Sequence, residues 1–218
     1  MIAPLAIALA IPRDATVTFT GLPQFSEPVE VRGHSVELRV QGDRLVGSSL
    51  TEVRNPAHRP VRLAVTLPTW SQGRLGETSP TITLGATWRG QRLALAPATA
   101  TSSTDTTGRV DANAAYRATF AMPPRSSGAL RIEFAHPLGI AGRDRKLRVV
   151  AYRLAGGSRI GQLNVSMRYT EPDVFRLPEV SPRAHWQIGP KGAFWRQTNL
   201  TPKGEDVVAT FYSGRIDD

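Results

Sequence analysis

Cysteine is missing from all 218 residues, so disulfides, thiolate metal sites and cysteine nucleophiles are excluded together. Export stays open, because an exported fold need not lean on disulfides. Lysine is nearly missing as well: Lys146, Lys191 and Lys203 are the three, and arginine supplies the rest of the 27 basic residues. No run of eighteen apolar residues occurs, and a typical membrane-spanning helix needs about that many. Helical periodicity is absent over any useful length, and no internal repeat of fixed period is visible. What is present is a globular composition, 40% hydrophobic and 21% charged, with 19 glycines and 17 prolines. Disorder and collagen-like structure are therefore ruled out. The length suits one large domain or two small ones and is ample for a buried core.

The dominant pattern has period two. Val36, Leu38 and Val40 share one face while Glu37 and Arg39 take the other, and Val61, Leu63, Val65 and Leu67 repeat the arrangement. It returns in Ile82, Leu84, Ala86 and Trp88, in Tyr116, Ala118, Phe120 and Met122, in Leu130, Ile132 and Phe134, and in Leu163, Val165, Met167 and Tyr169. Successive side chains of a strand point to opposite faces, so the pattern predicts sheets with one buried and one wet face. Such sheets are antiparallel as a rule. Turn chemistry separates the runs, at Gly42-Asp43, Asn55-Pro56, Gly73 to Gly76, Pro123-Pro124, Gly139 to Gly142, Gly156-Gly157 and Gly189-Pro190. The expected fold is an all-β, antiparallel β-sandwich of about ten to twelve strands with long loops.

Residues 1–12, MIAPLAIALAIP, form an apolar N-terminal segment. Ala8-Leu9-Ala10 fits the small-x-small cleavage rule of a signal peptide, though no Lys or Arg precedes it. The segment reads as a clipped signal sequence, or else as a first strand ended by Pro12. Residues 13–218 are expected to form a single sandwich domain. Within it, residues 97–114, PATATSSTDTTGRVDANA, are too small and polar to fill a core and read as a long exposed loop. Residues 170–183, with Pro172, Pro178 and Pro182, read as an extended crossing segment before an aromatic-rich C-terminal strand region.

The formal charge of +9 brings phosphates, anionic lipid heads and acidic glycans into consideration. The densest basic cluster is Arg143, Arg145, Lys146 and Arg148, interrupted by Asp144. It reads as a solvated face, with Arg143 and Arg145 as candidate anion ligands. No nucleic-acid partner is expected. Reactive constellations are not evident. His34, His58, His136 and His185 are isolated and read as surface or turn residues, so no metal ligand set is assigned. Asp105 and Asp111 do not match the spacing of a calcium loop. Glu171 and Asp173 are neighbours on a Pro-rich stretch, and no nucleophile elbow or nucleotide-cradling loop occurs. No catalytic residue and no cofactor are predicted. Among the aromatics, Trp88 is in phase with the core, whereas Trp70 and Trp195 lie beside turns and are the candidates for partial exposure and ligand stacking.

Three stretches carry a resemblance. VRNPAHRPVRLAVTLP, YRATFAMPPRSSGALRIEFAHPLG, and YRLAGGSRIGQLNVSMRY followed by FWRQTNLTPKGEDVVATFYSG together cover residues 45–212. In their strand, Pro-turn and terminal strand-pair pattern they resemble a family of bacterial exported β-sandwich domains of unknown function. The resemblance implies a sandwich and an exported, periplasmic or cell-envelope location, and it transfers no catalytic residue. The lack of cysteine and the small polar segment at 97–114 depart from the family.

The sequence therefore points to a non-enzymatic exported module, structural or protein-interacting, with a protein as partner. Edge strands and the 97–114 segment are its available surfaces. A carbohydrate- or polyanion-binding module using exposed Trp and Arg is the alternative, and a hydrolase on a sandwich scaffold is a third. Membrane contact is expected only through the N-terminal segment, if it is uncleaved.

Overall fold

The computed structural model describes residues 11, 14–74, 82–142, 147–154, 158–169, 179–182 and 186–212. The apolar residues 1–10, the basic cluster at 143–146, His185, Glu171 and Asp173 lie outside the described residues.

Among the described residues seventeen strands follow one another and no helix occurs. They are β1 (Val17–Gly21), β2 (Gln24–Phe25), β3 (Glu30–Gln41), β4 (Arg44–Arg54), β5 (Val61–Arg74), β6 (Thr83–Trp88), β7 (Gln91–Arg92) and β8 (Ala96–Thr104). Then come β9 (Arg109–Met122), β10 (Ser127–Pro137), β11 (Gly139–Ala141), β12 (Leu147–Arg153), β13 (Ile160–Arg168), β14 (Glu179–Ser181), β15 (Trp186–Gly189), β16 (Gly192–Leu200) and β17 (Asp206–Tyr212). Twelve of them have five residues or more.

Two sheets result. The nine-stranded sheet runs β14-β17-β12-β1-β5-β9-β8, with β11 beside β12 and β2 beside β5. The eight-stranded sheet runs β15-β16-β13-β3-β4-β10-β6-β7. Between them lies a cluster of buried side chains to which the alternating runs contribute as expected. It takes Val36, Leu38 and Val40 from β3, Leu63, Val65 and Leu67 from β5, Phe120 and Met122 from β9, and Leu163, Val165 and Met167 from β13. Trp88 is buried and stacks on Phe120 across the core, with centroids 4.2 Å apart.

The all-β sandwich is thus present, but the sheets are mixed rather than purely antiparallel. β1 pairs with β12 in parallel, and β3 pairs with β13 in parallel. The expectation of one wet face also fails in part of the nine-stranded sheet. In β1 the inward Thr18 and Thr20 and the outward Val17 and Phe19 are all buried. Val17, Phe19, Val149, Ala151 and Val208 form a second apolar cluster, against which Ile11, Trp70 and Leu147 pack. Parallel strands are generally covered on both faces, and β1 and β12 follow that rule.

The second correction concerns 97–114. The segment is no loop: Ala96–Thr104 and Arg109–Met122 form a hairpin, paired from Ala96↔Arg117 to Thr104↔Val110. The turn is held by Asp105, whose Oδ1 accepts from Thr107 N–H (2.8 Å), Thr107 Oγ1–H (2.7 Å) and Arg109 N–H (3.0 Å). Gly108 takes φ +76°, which a residue with a Cβ adopts only at a cost. β5 likewise runs through Gly73 instead of turning there.

Candidate functional site

The margins of the two sheets differ. Among the described residues three margins end in very short strands, β14 with three residues, β15 with four and β7 with two. Short margins leave little ladder for another chain to join. The fourth margin is β8, nine residues long and exposed at every one. Its sequence, APATATSST, has no charged residue. Lys, Pro and bulges are the usual guards of an edge; here Pro97 and a register irregularity between Pro97 and Thr99 guard only the start. From Thr99 to Thr104, alternate N–H and C=O groups face away from β9, with no strand of the described residues beside them.

Behind that edge is a trough. Thr69, Ala114 and Ala100 stand in one cross-strand row of β5, β9 and β8, and Ser71, Ala112 and Ser102 stand in the next. These rows share the face of Leu67, the core-facing side of the sheet. Side chains this small leave space above them, and with Tyr116 and Ile82 they line a cavity of about 410 Å3. Thr69 directs its hydroxyl to the Ala114 carbonyl (3.2 Å), so the floor is internally hydrogen-bonded.

A second depression, of about 500 Å3, lies on the wet face of the eight-stranded sheet. Its small floor residues are Ser48 and Gly85, which flank Glu133 in one cross-strand row. A Cβ built on Gly85 meets nothing within 4 Å, so the dish is open there. Arg39, Arg92 and Arg131 line it. Arg39 pairs with Glu37 at 3.3 Å.

The sequence-nominated residues do not converge. Trp70 is on β5 and Trp195 on β16, in different sheets. Trp70 is half-buried, and the Arg153 guanidinium sits 4.6 Å over its ring and 5.0 Å over Phe19. The same guanidinium grips Asp206 through two bonds of 2.7 and 2.9 Å. Trp195 is 3% exposed, against the expectation of partial exposure, and stacks on Trp186 at 6.0 Å. It is in phase with buried Ala193, which places it inward despite the nearby turn. No joint Trp70–Trp195 platform forms, and Arg143 and Arg145 lie outside the described residues.

Two histidines read as surface residues are buried. His34 is in phase with Val36 and Leu38, and that phase was the available signal. Its Nδ1 lies 2.9 Å from Thr51 Oγ1 and its Nε2 2.8 Å from Tyr152 OH, which joins the two sheets. Burial lowers the His34 pKa to about 3 and raises that of Tyr152. His136 gives its Nδ1–H to the Pro137 carbonyl at 2.8 Å, and burial lowers its pKa as well. His58 behaves as expected, in an exposed turn against Arg125 (2.7 Å).

The two packed sheets define a sandwich-like all-β protein. No protein-family model matches the chain, and no curated protein matches it in sequence. Among solved structures it is similar to a candidate nutrient-binding protein from Legionella pneumophila, at 12% identity over 92% of this chain and 73% of that one, with a TM-score of 0.69. Yeast LTA4 hydrolase in complex with bestatin is 9% identical over 84% of this chain and 28% of that one, with a TM-score of 0.48. A candidate protease from Parabacteroides distasonis is 12% identical over 84% and 40%, with a TM-score of 0.40. The Legionella likeness is one of fold.

Proposed function

We propose that the chain is a non-enzymatic, exported interaction module of a bacterial envelope that takes a protein partner along the free edge of β8. The observation that carries this is the contrast, among the described residues, between one long, uncharged, exposed edge and three short ones. A sheet margin of that kind is a template for another strand. The non-enzymatic reading is supported by where the titratable groups sit: His34 and Tyr152 satisfy each other inside the core, and Arg153 is held by Asp206. Export is supported by the apolar opening segment and by the family resemblance, and the Legionella neighbour's description is compatible with a binding role. A photo-crosslinking residue placed at Thr101 should trap a partner protein in the native cell. The variant Ser103→Lys, which guards the edge with a charge, should abolish the adduct while leaving the melting temperature unchanged. Trapping that survives Ser103→Lys, or that occurs only from positions around the dish, defeats the reading.

A second reading is favoured by the dish: an anionic ligand held by arginines. Arg92 and Arg131 make no ion pair among the described residues. If so, Arg131→Ala and Gly85→Tyr should each weaken retention on a heparin column several-fold in low salt, the first by removing charge and the second by filling the floor. Equal elution of all three proteins sinks it.

A further inference from the structure

The β8 edge sets the direction of an added backbone, and the trough beside it sets what side chains that backbone carries. A strand laid outside β8 continues the two cross-strand rows, so every second residue projects on the same face as Ala100 and Ser102. There it meets a cavity whose volume, about 410 Å3, lies within the range of ordinary ligand pockets. Among the described residues its lining has no acidic or basic side chain, so a charge brought against them loses water and finds no counter-ion there. The lining is Ala, Ser and Thr with Asn113, Tyr116 and Ile82, too small to fill the space themselves. A second copy of this chain does not complete it, because β8 itself offers only Ala, Pro, Thr and Ser.

We propose that the β8 edge accepts an extended segment of a partner protein bearing bulky apolar side chains at alternate positions. Main-chain hydrogen bonds to β8 supply the binding, and the trough selects the alternation. The inference rests on the reading of β8 as the interaction edge, and it adds the chemistry of the occupant.

The test uses the full chain and three synthetic peptides as long as β8. One alternates Leu with Thr, one has the same composition with its leucines contiguous, and one alternates Ala with Thr. Affinity is read by fluorescence, and the bound element by amide hydrogen exchange. The alternating Leu peptide should slow exchange at residues 99–104 and bind roughly tenfold tighter than the other two, the worth of one well-buried apolar side chain. Ala114→Leu should erase that preference by filling the trough from the middle strand. Ala100→Leu should do so from the exposed edge strand, where folding is least at risk. If the Leu and Ala peptides protect β8 equally, the trough selects nothing and the inference falls while the edge reading stands. If no peptide protects β8 and crosslinking from Thr101 is also silent, the edge reading falls with it. A dimer that Ser103→Lys dissolves would make the occupant a second copy and overturn the proposal.

Discussion

His34→Ala should cost about 3 kcal/mol of folding stability at pH 7 and should flatten the response of the protein to mild acid. The imidazole is fully buried and spans the two sheets, from Thr51 on β4 to Tyr152 on β12. Its removal leaves two buried hydroxyls with a partner lost and a cavity between the sheets, each worth roughly 1–3 kcal/mol. The acid response follows from the lowered pKa of about 3. Folded His34 stays neutral, whereas in the unfolded chain it takes a proton below about pH 6.5. Stability is therefore complete above pH 6.5 and falls as pH drops towards 3, at about 1.4 kcal/mol per pH unit. The groups bonded to the ring are Thr51 and Tyr152, the latter kept neutral by burial. Between pH 7 and pH 4.5 the parent should lose about 3 kcal/mol from this group, and His136 acts in the same direction. Urea unfolding at both pH values checks this. The gap between parent and variant should shrink as pH falls, and parallel pH profiles would exclude His34 as the source.

Gly47→Ala should destabilise by about 2 kcal/mol, although the change adds one methyl group. Gly47 lies in the middle of β4, between Leu38 of β3 and Phe134 of β10. A Cβ there would stand 2.3 Å from Cε2 and Cζ of the Phe134 ring. The ring has little room to move, since its centroid is 6.2 Å from His136 and 6.3 Å from Tyr152. Gly85 of β6 provides the control: it pairs with Glu133 of β10, and its Cβ would meet nothing within 4 Å. Gly85→Ala should be neutral or slightly stabilising, through the loss of unfolded-state freedom. If the clash is the cause, Phe134→Leu should be less harmful in the Gly47→Ala background than alone, which a double-mutant cycle measures. Additive effects would assign the cost elsewhere.

The layered sandwich and its core are legible wherever a run is long and its apolar residues are large. Leu130, Ile132 and Phe134 of β10 and Leu163, Val165 and Met167 of β13 announce both their strands and their buried faces. Legibility fails where the inward residues are small or polar. In β8 and the first half of β9, Ala100, Ser102, Ala112 and Ala114 face inward, and their alternation with Thr and Asn carries almost no hydrophobic contrast. Thr99, Thr101 and Thr104 favour extended structure, and that propensity was the signal to weigh. His34 and Trp195 fail for another reason. Isolation from other ligand-type residues points His34 to the surface and a nearby turn points Trp195 there, whereas the phase of each with Val36 or Ala193 points inward. Strand order lies beyond local pattern altogether. Nothing in β1 or β12 states that they run side by side, since that contact joins segments separated by most of the chain.

That parallel seam occurs twice, at β1 with β12 and at β3 with β13, and it has a consequence for how the chain is made. During translation β1 and β3 emerge early, and their parallel neighbours β12 and β13 follow only after more than half of the chain has been made. Until then both nascent sheets stand ajar, which invites misassembly and slows closure. A premature stop codon before Leu147 would accordingly yield a sticky, unfinished polypeptide rather than a smaller working protein.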